Sequence, residues 1–251
     1  AGPLTKTVED NAIVTQLLSV FDPKDPVSVY DEKPDHISCL RKGVKNVRVG
    51  IPVDRWIWER ETEETEFLVR QAVEVLEKLG AKVQEVALPL AAESRETHFR
   101  ITRPQAYAYW TETFSQVDLD GWPEIRSSLE SGREQPFAEY LDGHRKAAII
   151  CQELAGVFRD VDVLAMPTGS TLNDDCQAST TLLRGRRIPA RSRAVYLNGL
   201  ASLSGTPAIS VPCGFAVDNR LPVGLQLMGR EMEEALLFRI AYTYERACEW
   251  Y

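Results

Sequence analysis

A strand–helix–strand pattern over residues 47–89 limits the possible folds of this chain more than any other feature. The run VRVGIP (47–52) alternates Val or Ile with other residues, which is typical of a short strand. An amphipathic helix is predicted over about 61–79, with Gly80 at its C-cap. AKVQEVALP (81–89) is predicted to be the next strand. A strand, a helix and a strand in this order predict parallel pairing and therefore a layered α/β fold.

The remaining elements show the same two patterns, alternation in strands and helical spacing in helices. Helices are predicted over 7–20, 144–158, 193–204 and 232–250, and strands over 161–167 (VDVLAMP), 206–215 (TPAISVPCGF) and 221–229 (LPVGLQLMG). The first helix begins with the capping pattern Thr7-x-x-Asp10 and carries Ile13, Leu17 and Val20 at helical spacing. The turn AVDNR predicts that the last two strands form a hairpin.

Two segments give weaker signals. Residues 91–143 mix aromatic and charged side chains and are predicted to be helices joined by irregular loops. A long polar loop is predicted after the buried strand, up to residue 192, because the segment is rich in Thr, Ser, Gly and Arg. No Gly/Ser linker divides the chain, so it is one large domain or part of a larger one.

The charge balance excludes some partners. The chain has 251 residues and a formal net charge of −8, from 29 basic and 37 acidic residues. This balance argues against a broad surface for nucleic acid or anionic membrane, although it does not exclude a local basic patch. No apolar run approaches the roughly 20 residues that span a bilayer, so we expect a soluble chain.

The cysteines indicate neither a metal site nor a disulfide framework. There are five, far apart in the sequence and without a C-x-x-C pair: Cys39, Cys151, Cys176, Cys213 and Cys248. An odd number with this spacing favours a reducing compartment, so a cytoplasmic location is predicted. No cofactor is predicted either, because the sequence has no H-E-x-x-H, P-loop or G-x-G-x-x-G motif.

No catalytic residue can be assigned from local motifs. An activated nucleophile needs a base at hydrogen-bond distance, yet the sequence has neither G-x-S-x-G nor S-x-x-K. His36, His98 and His144 each lie among charged or turn residues and are interpreted as solvated surface side chains. Cys213, at a strand end in VPCGF, has no His nearby in sequence and is interpreted as a small buried side chain.

Two loop features remain as candidates for binding. An arginine cluster follows the buried strand 161–167: Arg184, Arg186, Arg187, Arg191 and Arg193. It is able to bind a carboxylate or phosphate, but in such a Gly- and Pro-containing loop a solvated surface is favoured. Thr168 is a pocket candidate because α/β proteins bind ligands in loops after buried strands.

Four stretches occur in a familiar order, and the last is the most specific. They are AGPLTKTVEDNAIVTQLL with DPKDP, VRVGIP with VRQAVEVLEKLGAKVQEVALP, VFRDVDVLAMPT, and NGLASLSGTPAISVPCGF with LPVGLQLMGREMEEALLFRIAYTYE. The last stretch contains Asn198-Gly199, Gly205-Thr206-Pro207, Val211-Pro212-Cys213-Gly214 and Gly224-x-Gln226-x-x-Gly229. Together they resemble the C-terminal part of the amidase signature family, which are serine hydrolases of carboxamides.

The resemblance implies a fold, and it implies that the catalytic residues of the family lie outside this chain. The family fold is an α/β/α sandwich around a large mixed sheet. Its mechanism uses a Ser nucleophile, a second Ser on a cis peptide bond and a Lys, all in segments upstream of the start of this chain. We therefore expect residues 1–251 to be the C-terminal portion of one amidase domain, inactive alone, with the N-terminal catalytic portion as its partner. An apolar face left uncovered in this way favours pairing, and a homodimer is one such arrangement.

The resemblance also directs attention to one wall of a small-molecule amide pocket. This wall is expected to include Thr168, Gly169 and the loop 169–192, with Tyr196 and Asn198 on the following helix. Simple burial of Tyr196, and capping or packing of Asn198, are equally good explanations for those two residues. Two other functions stay open: a non-catalytic module that binds a ligand or partner through the arginine cluster, and an amidotransferase-type subunit.

Overall fold

The computed structural model describes residues 2–29, 35–114, 121–169, 180–189, 197–217 and 220–248. The helices are α1 (Val8–Leu18), α2 (Arg55–Trp58), α3 (Glu63–Lys78), α4 (Ser94–Thr113), α5 (Pro123–Glu134), α6 (Phe137–Asp160), α7 (Asn198–Ser204) and α8 (Glu234–Cys248). The strands are β1 (Arg48–Pro52), β2 (Lys82–Val86), β3 (Val163–Pro167), β4 (Thr180–Leu183), β5 (Arg186–Pro189), β6 (Ala208–Phe215) and β7 (Pro222–Gly229). Short 3-10 turns lie at Leu40–Lys42 and Leu90–Glu93.

Five of these strands form one mixed sheet in the order β2-β1-β3-β7-β6. β1 pairs in parallel with both β2 and β3, as the strand–helix–strand pattern predicts. β7 is antiparallel to β3, and β6 and β7 form the predicted hairpin. The predicted mixed α/β sheet is therefore confirmed.

Helices cover both faces of the sheet. Alternate residues of β3 point to opposite faces and therefore pack in two separate cores. Val163 and Ala165 pack in a core with α3, α8 and the apolar residues of β7. Leu164 and Met166 pack in a second core with α6 and α7. All of β3 is buried, as expected for a strand that carries an unbroken apolar run.

An ion-pair cluster holds the start of β3. Asp162 accepts hydrogen bonds from the main-chain N–H of Arg48 (2.8 Å), from the Arg48 guanidinium (2.7 Å) and from Arg230 (3.0 Å). These contacts connect the beginnings of β1 and β3 to the end of β7. Burial raises the pKa of Asp162, but the hydrogen bonds from Arg48 and Arg230 outweigh it and lower the pKa to about 2.

The first helix is shorter than predicted, and its apolar stripe is not covered. Thr7 caps α1 as expected, because its hydroxyl accepts from the N–H of Asp10 (3.1 Å). The carboxylate of Glu245 accepts from the N–H of Val8 (3.0 Å), which attaches α1 to α8. However, Leu17 is 71% exposed and Val20 is 67% exposed. The described residues thus bury only the N-terminal end of this helix.

Two predictions for the segment between β3 and β6 need correction. The segment after β3 is not only a loop, because β4 and β5 form an antiparallel hairpin within it. The helix predicted over 193–204 starts at Asn198 in the structure, and residues 190–196 lie outside the described part. The described residues of 91–143 are mostly helical, as predicted, and belong to α4, α5 and the first part of α6. α6 begins at Phe137, before the predicted residue 144, because the weak periodicity of its first turns hides its start.

Candidate functional site

A small polar cluster lies where β3 ends, on the sheet face covered elsewhere by α6 and α7. The N–H of Thr168 donates to the carbonyl of Gly224 on β7 (2.9 Å). The hydroxyls of Thr168 and Ser210 lie 2.6 Å apart and share a hydrogen bond. Thr168 is half-buried and Ser210 is exposed, so solvent reaches this hydroxyl pair.

Gly224 lies between the two hydroxyls and leaves them room to meet. A Cβ at this position would be 2.7 Å from the Thr168 Oγ1 and 2.8 Å from the Ser210 Oγ. Both distances are shorter than any ordinary contact with a carbon atom, so a side chain here would separate the hydroxyls. The absence of a side chain at residue 224 is therefore required for the observed arrangement.

Gln226 adds a carboxamide to the same face. The register places it opposite Met166 on β3 and Ser210 on β6. Gln226 is 4% exposed, and among the described residues its Nε2 has no hydrogen-bond acceptor. Buried amide donors are seldom left unpaired, since each costs about 1–3 kcal/mol. We call Thr168, Ser210, Gly224 and Gln226 the β3-end cluster.

The chemistry of the β3-end cluster is hydrogen bonding without acid–base catalysis. Its side chains are two hydroxyls and one carboxamide, and none of them changes charge near neutral pH. A hydroxyl becomes an effective nucleophile only when a base is within hydrogen-bond reach. The cluster is thus suited to hold and orient a polar group, and it needs a base from elsewhere for catalysis.

The structure brings together only part of the predicted pocket wall. Thr168 lies in the cluster and Gly169 follows it, and, its chain neighbours aside, no atom of the described residues lies within 4 Å of the place where a Cβ would stand. Asn198 is the exposed first residue of α7 and does not act as the N-cap, which is Leu197. Tyr196 and residues 170–179 lie outside the described part of the chain.

Sequence reasoning missed Ser210 as a site residue, and it noticed Gly224 and Gln226 only as part of a motif. The signal for these two was their spacing of two residues, which places both on one face of a strand. No local pattern identifies Ser210, because its partner Thr168 lies 42 positions earlier in the chain.

The arginine cluster does not act as one unit. Arg184 lies at the tip of the β4–β5 hairpin and donates to the carbonyls of Glu61 (2.9 Å) and Trp58 (3.1 Å). Its guanidinium also pairs with Glu66 (2.8 Å), so it fastens the hairpin to the start of α3. Arg186 and Arg187 are exposed on β5. Arg191 and Arg193 lie outside the described residues.

Cys213 is structural, as interpreted from the sequence. It lies at a β-bulge in β6 and is 5% exposed. Burial, with a smaller contribution from nearby Cys248, raises the pKa of the Cys213 thiol to about 12. The thiolate, which is the reactive form, is therefore absent at neutral pH.

The interpretation of the histidines was wrong for two of the three. His36 is buried against Phe238, with ring centroids 5.4 Å apart. His98 is half-buried, and burial lowers its pKa. Only His144 is exposed, with its ring edge-on to Tyr140. His36 is interior because its tertiary contact with Phe238, which the neighbouring charged residues do not reveal, covers it.

No group of three or more His, Cys, Asp or Glu side chains in the described ranges is arranged to hold a metal ion. In the same part of the chain, no helix has both the length and the apolar character needed to cross a membrane.

Comparison with known proteins identifies similar chains. A family model described as Amidase matches residues 1–238. A glutamyl-tRNA(Gln) amidotransferase subunit of Geobacillus sp. (strain WCH70) is 30% identical over 282 residues, covering 100% of this chain and 55% of the relative. An amidase of Pseudomonas putida is 30% identical over 261 residues, covering 100% of this chain and 53% of the relative.

Solved structures share the fold. A bacterial aryl acylamidase described as belonging to the amidase signature (AS) enzymes superposes with a TM-score of 0.84 at 24% identity. The match covers 99% of this chain and 53% of that chain. The chain thus spans about half the length of the relatives it matches.

Proposed function

Because this chain belongs to the amidase signature family, we propose that it is the C-terminal portion of an enzyme that hydrolyses carboxamides. The reaction converts an amide and water to a carboxylate and ammonia or an amine. In this proposal, the chain supplies sheet scaffold and one wall of the substrate pocket. A separate or preceding polypeptide supplies the Ser-cisSer-Lys residues of the family.

The observation that carries the proposal is the composition of the β3-end cluster. It offers hydrogen-bond donors and acceptors at the carboxyl end of a buried strand, where α/β proteins bind ligands. It contains no base, so the hydroxyls of Thr168 and Ser210 stay protonated and weakly nucleophilic. Their role is to hold and orient a polar group, and the bond-breaking step needs residues that this chain does not contribute.

The proposed pocket wall consists of Thr168, Gly169 and the first residues of the following loop, with Tyr196 and Asn198 as further candidates. The described residues leave the space beside Gly169 unfilled where a side chain would otherwise stand. The expected substrate is a small amide. Which amide is bound depends on loops that carry no motif with a known mechanism.

The test is labelling with a fluorophosphonate, which reacts covalently with activated serines. The chain alone is expected to stay unlabelled, because no serine in the β3-end cluster has a base beside it. When it is mixed with the part of the Pseudomonas putida amidase outside the matched 53%, the label is expected on that fragment. Labelling of this chain alone, mapped to one of its own serines, contradicts the proposal.

A role within an amidotransferase is the second candidate function. It is favoured by the 30% identical relative that is named as a subunit of glutamyl-tRNA(Gln) amidotransferase. A free hydrolase releases ammonia from a small carboxamide without tRNA or further subunits. If the mixture releases ammonia only when glutamyl-tRNA(Gln) and further subunits are added, the second candidate replaces the first.

The third candidate, a binding module built on the arginine cluster, is less well supported. Arg184, the residue nearest the tip of the hairpin, is already engaged by two carbonyls and a carboxylate. We also propose a cytoplasmic location, because Cys39, Cys151, Cys213 and Cys248 are free thiols. A homodimer remains a proposal for the chain in the absence of its complementary polypeptide.

A further inference from the structure

A polar cavity of about 230 Å³ lies between α4, the end of α5 and the start of α6. Its wall includes Phe99, Arg100 and Arg103 from α4, Gln135 from the α5–α6 turn and Glu139 from α6. Pockets for drug-sized ligands have roughly 300–1,000 Å³, so this cavity suits a smaller molecule. None of the described residues in its wall belongs to the β3-end cluster. A ligand bound here is therefore distinct from the substrate in the proposed function.

Close contacts between the three helices fix the wall of this cavity. A Cβ at Gly132 of α5 would overlap the carbonyl of Arg103, so α4 and α5 are in direct contact at this point. The carboxamide of Gln135 donates to the carbonyl of Arg100 (2.6 Å), which holds the α5–α6 turn against α4. The Arg100 guanidinium pairs with Asp142 of α6 (3.0 Å). The cavity is thus formed by helices that are attached to one another on each side of it.

Two ionised groups of the wall lack an oppositely charged partner among the described residues. The Arg103 guanidinium lies over the ring of Phe99, 4.6 Å from its centroid, and its buried Nε has no hydrogen-bond acceptor. The carboxylate of Glu139 is exposed and forms no ion pair within the described ranges. Buried polar groups are seldom left unpaired, so the Arg103 Nε indicates an acceptor that these ranges do not supply.

The other charges of the wall are already neutralised by ion pairs. Arg100 pairs with Asp142 and Glu96, and Glu134 pairs with Arg133. A simple anion would satisfy Arg103 but would be repelled by the carboxylate of Glu139 in the same wall. A simple cation would satisfy Glu139 and leave the Arg103 Nε without an acceptor. The wall therefore favours a ligand that carries one charge of each sign.

We infer that this cavity binds a small zwitterion, of the class of the free α-amino acids with small side chains. The ligand carboxylate accepts hydrogen bonds from the planar guanidinium of Arg103, whose N–H groups match a carboxylate in geometry. The ligand ammonium donates to the carboxylate of Glu139. Because the ligand is neutral overall, both unpaired charges of the wall gain a partner and the net charge of the site does not change.

Calorimetric titration of this chain with glycine and with L-serine is the first test. Two blocked forms of serine separate the charges: N-acetyl-L-serine keeps the carboxylate without the ammonium, and L-serine methyl ester keeps the ammonium without the carboxylate. We expect saturable binding of the amino acids at one site. Each blocked form should bind about tenfold more weakly or worse, since it loses one charge-assisted hydrogen bond.

Two pairs of variants provide the matched controls. Arg103→Lys and Glu139→Gln are each expected to weaken binding by about tenfold or more, because each removes one of the two charge-assisted contacts. Glu130→Gln on α5 and Arg159→Lys on α6 alter exposed residues outside the wall and should change the affinity by less than about twofold. Circular dichroism verifies that each variant is folded, and Glu139→Gln alone decides the matter if Arg103→Lys is not.

The outcomes that overturn the inference are specific. Absence of saturable binding by both amino acids contradicts it. Equal affinity for L-serine and N-acetyl-L-serine shows a site for a plain carboxylate, and equal affinity for L-serine and its methyl ester shows a site for a plain cation, so either result also contradicts it. A loss in Glu139→Gln no larger than that in Glu130→Gln places the binding outside this cavity and refutes the inference. None of these results bears on the amidase proposal, which rests on other residues.

Discussion

Replacement of Asp162 by Asn tests how the fold positions the β3-end cluster, because Asp162 fixes the start of the strand that ends at Thr168. The Asp162 side chain is only 20% exposed and accepts from two guanidinium groups and a main-chain N–H. Its folded pKa of about 2 lies below the ordinary value of 3.8. By linkage, this difference corresponds to about 2 kcal/mol of stability at neutral pH.

The sign of the pH dependence follows from the direction of that shift. Since folding lowers the pKa of Asp162, the stabilisation is complete above pH 3.8 and disappears as the pH falls towards 2. We therefore expect Asp162→Asn to lower the free energy of unfolding by about 2 kcal/mol at about pH 7. The difference from the unaltered chain should shrink steadily between about pH 4 and pH 2.

Urea unfolding at several pH values measures this difference directly. Asp160→Asn is the matched control, because Asp160 is exposed two positions earlier, and its replacement should change stability by less than about 0.5 kcal/mol. A loss for Asp162→Asn that is equal at neutral pH and at about pH 2.5 would show that packing, rather than ionisation, is responsible. A loss no larger than that of the control refutes the role given to the cluster at the start of β3.

Three other outcomes are expected. Gly224→Ala should break the hydrogen bond between Thr168 and Ser210, since the new Cβ would lie 2.7 Å from the Thr168 Oγ1. We expect the substitution to lower the free energy of unfolding in urea by about 1–3 kcal/mol. An unchanged stability contradicts the close approach. Arg184→Ala should release the β4–β5 hairpin and speed its proteolysis, whereas Arg186→Ala, at an exposed position, should not. Equal rates contradict the anchoring role. Cys213, with a pKa of about 12, should resist alkylation by iodoacetamide at about pH 8 until denaturant is added; rapid modification of the folded chain contradicts its burial.

Local patterns predict the elements of this fold where they are strong. The alternation in 47–52 and the apolar run before Thr168 predict β1 and β3, and the turn AVDNR predicts the hairpin of β6 and β7. All three signals are contained within a few neighbouring residues, so no tertiary information is needed to recognise them.

Features that depend on distant residues are not predictable in this way. The β4–β5 hairpin was missed because its strands are only four residues long, too short for a clear alternation, and are held by Arg184 on carbonyls more than a hundred positions away. His36 was expected at the surface, although Phe238 covers it. Ser210 became a site candidate only when the sheet register brought it to Thr168.

The apolar stripe of α1 shows the opposite case. Ile13, Leu17 and Val20 have the spacing of a core-facing stripe, yet the described residues leave them 41%, 71% and 67% exposed. The periodicity indicates a partner for this helix, and the described part of the chain does not provide one. Such a disagreement between pattern and burial is what we expect for a chain that spans half of its relatives.

Carboxamide hydrolysis by each polypeptide alone and by the two together is the most direct test of the central claim. The samples are this chain, the part of the Pseudomonas putida amidase outside the match, and an equimolar mixture, each followed by ammonia release. We predict turnover only in the mixture, because the β3-end cluster brings hydrogen-bonding groups but no base to activate a nucleophile. Ammonia release by this chain alone, at a rate that the fragment does not increase, would contradict the account.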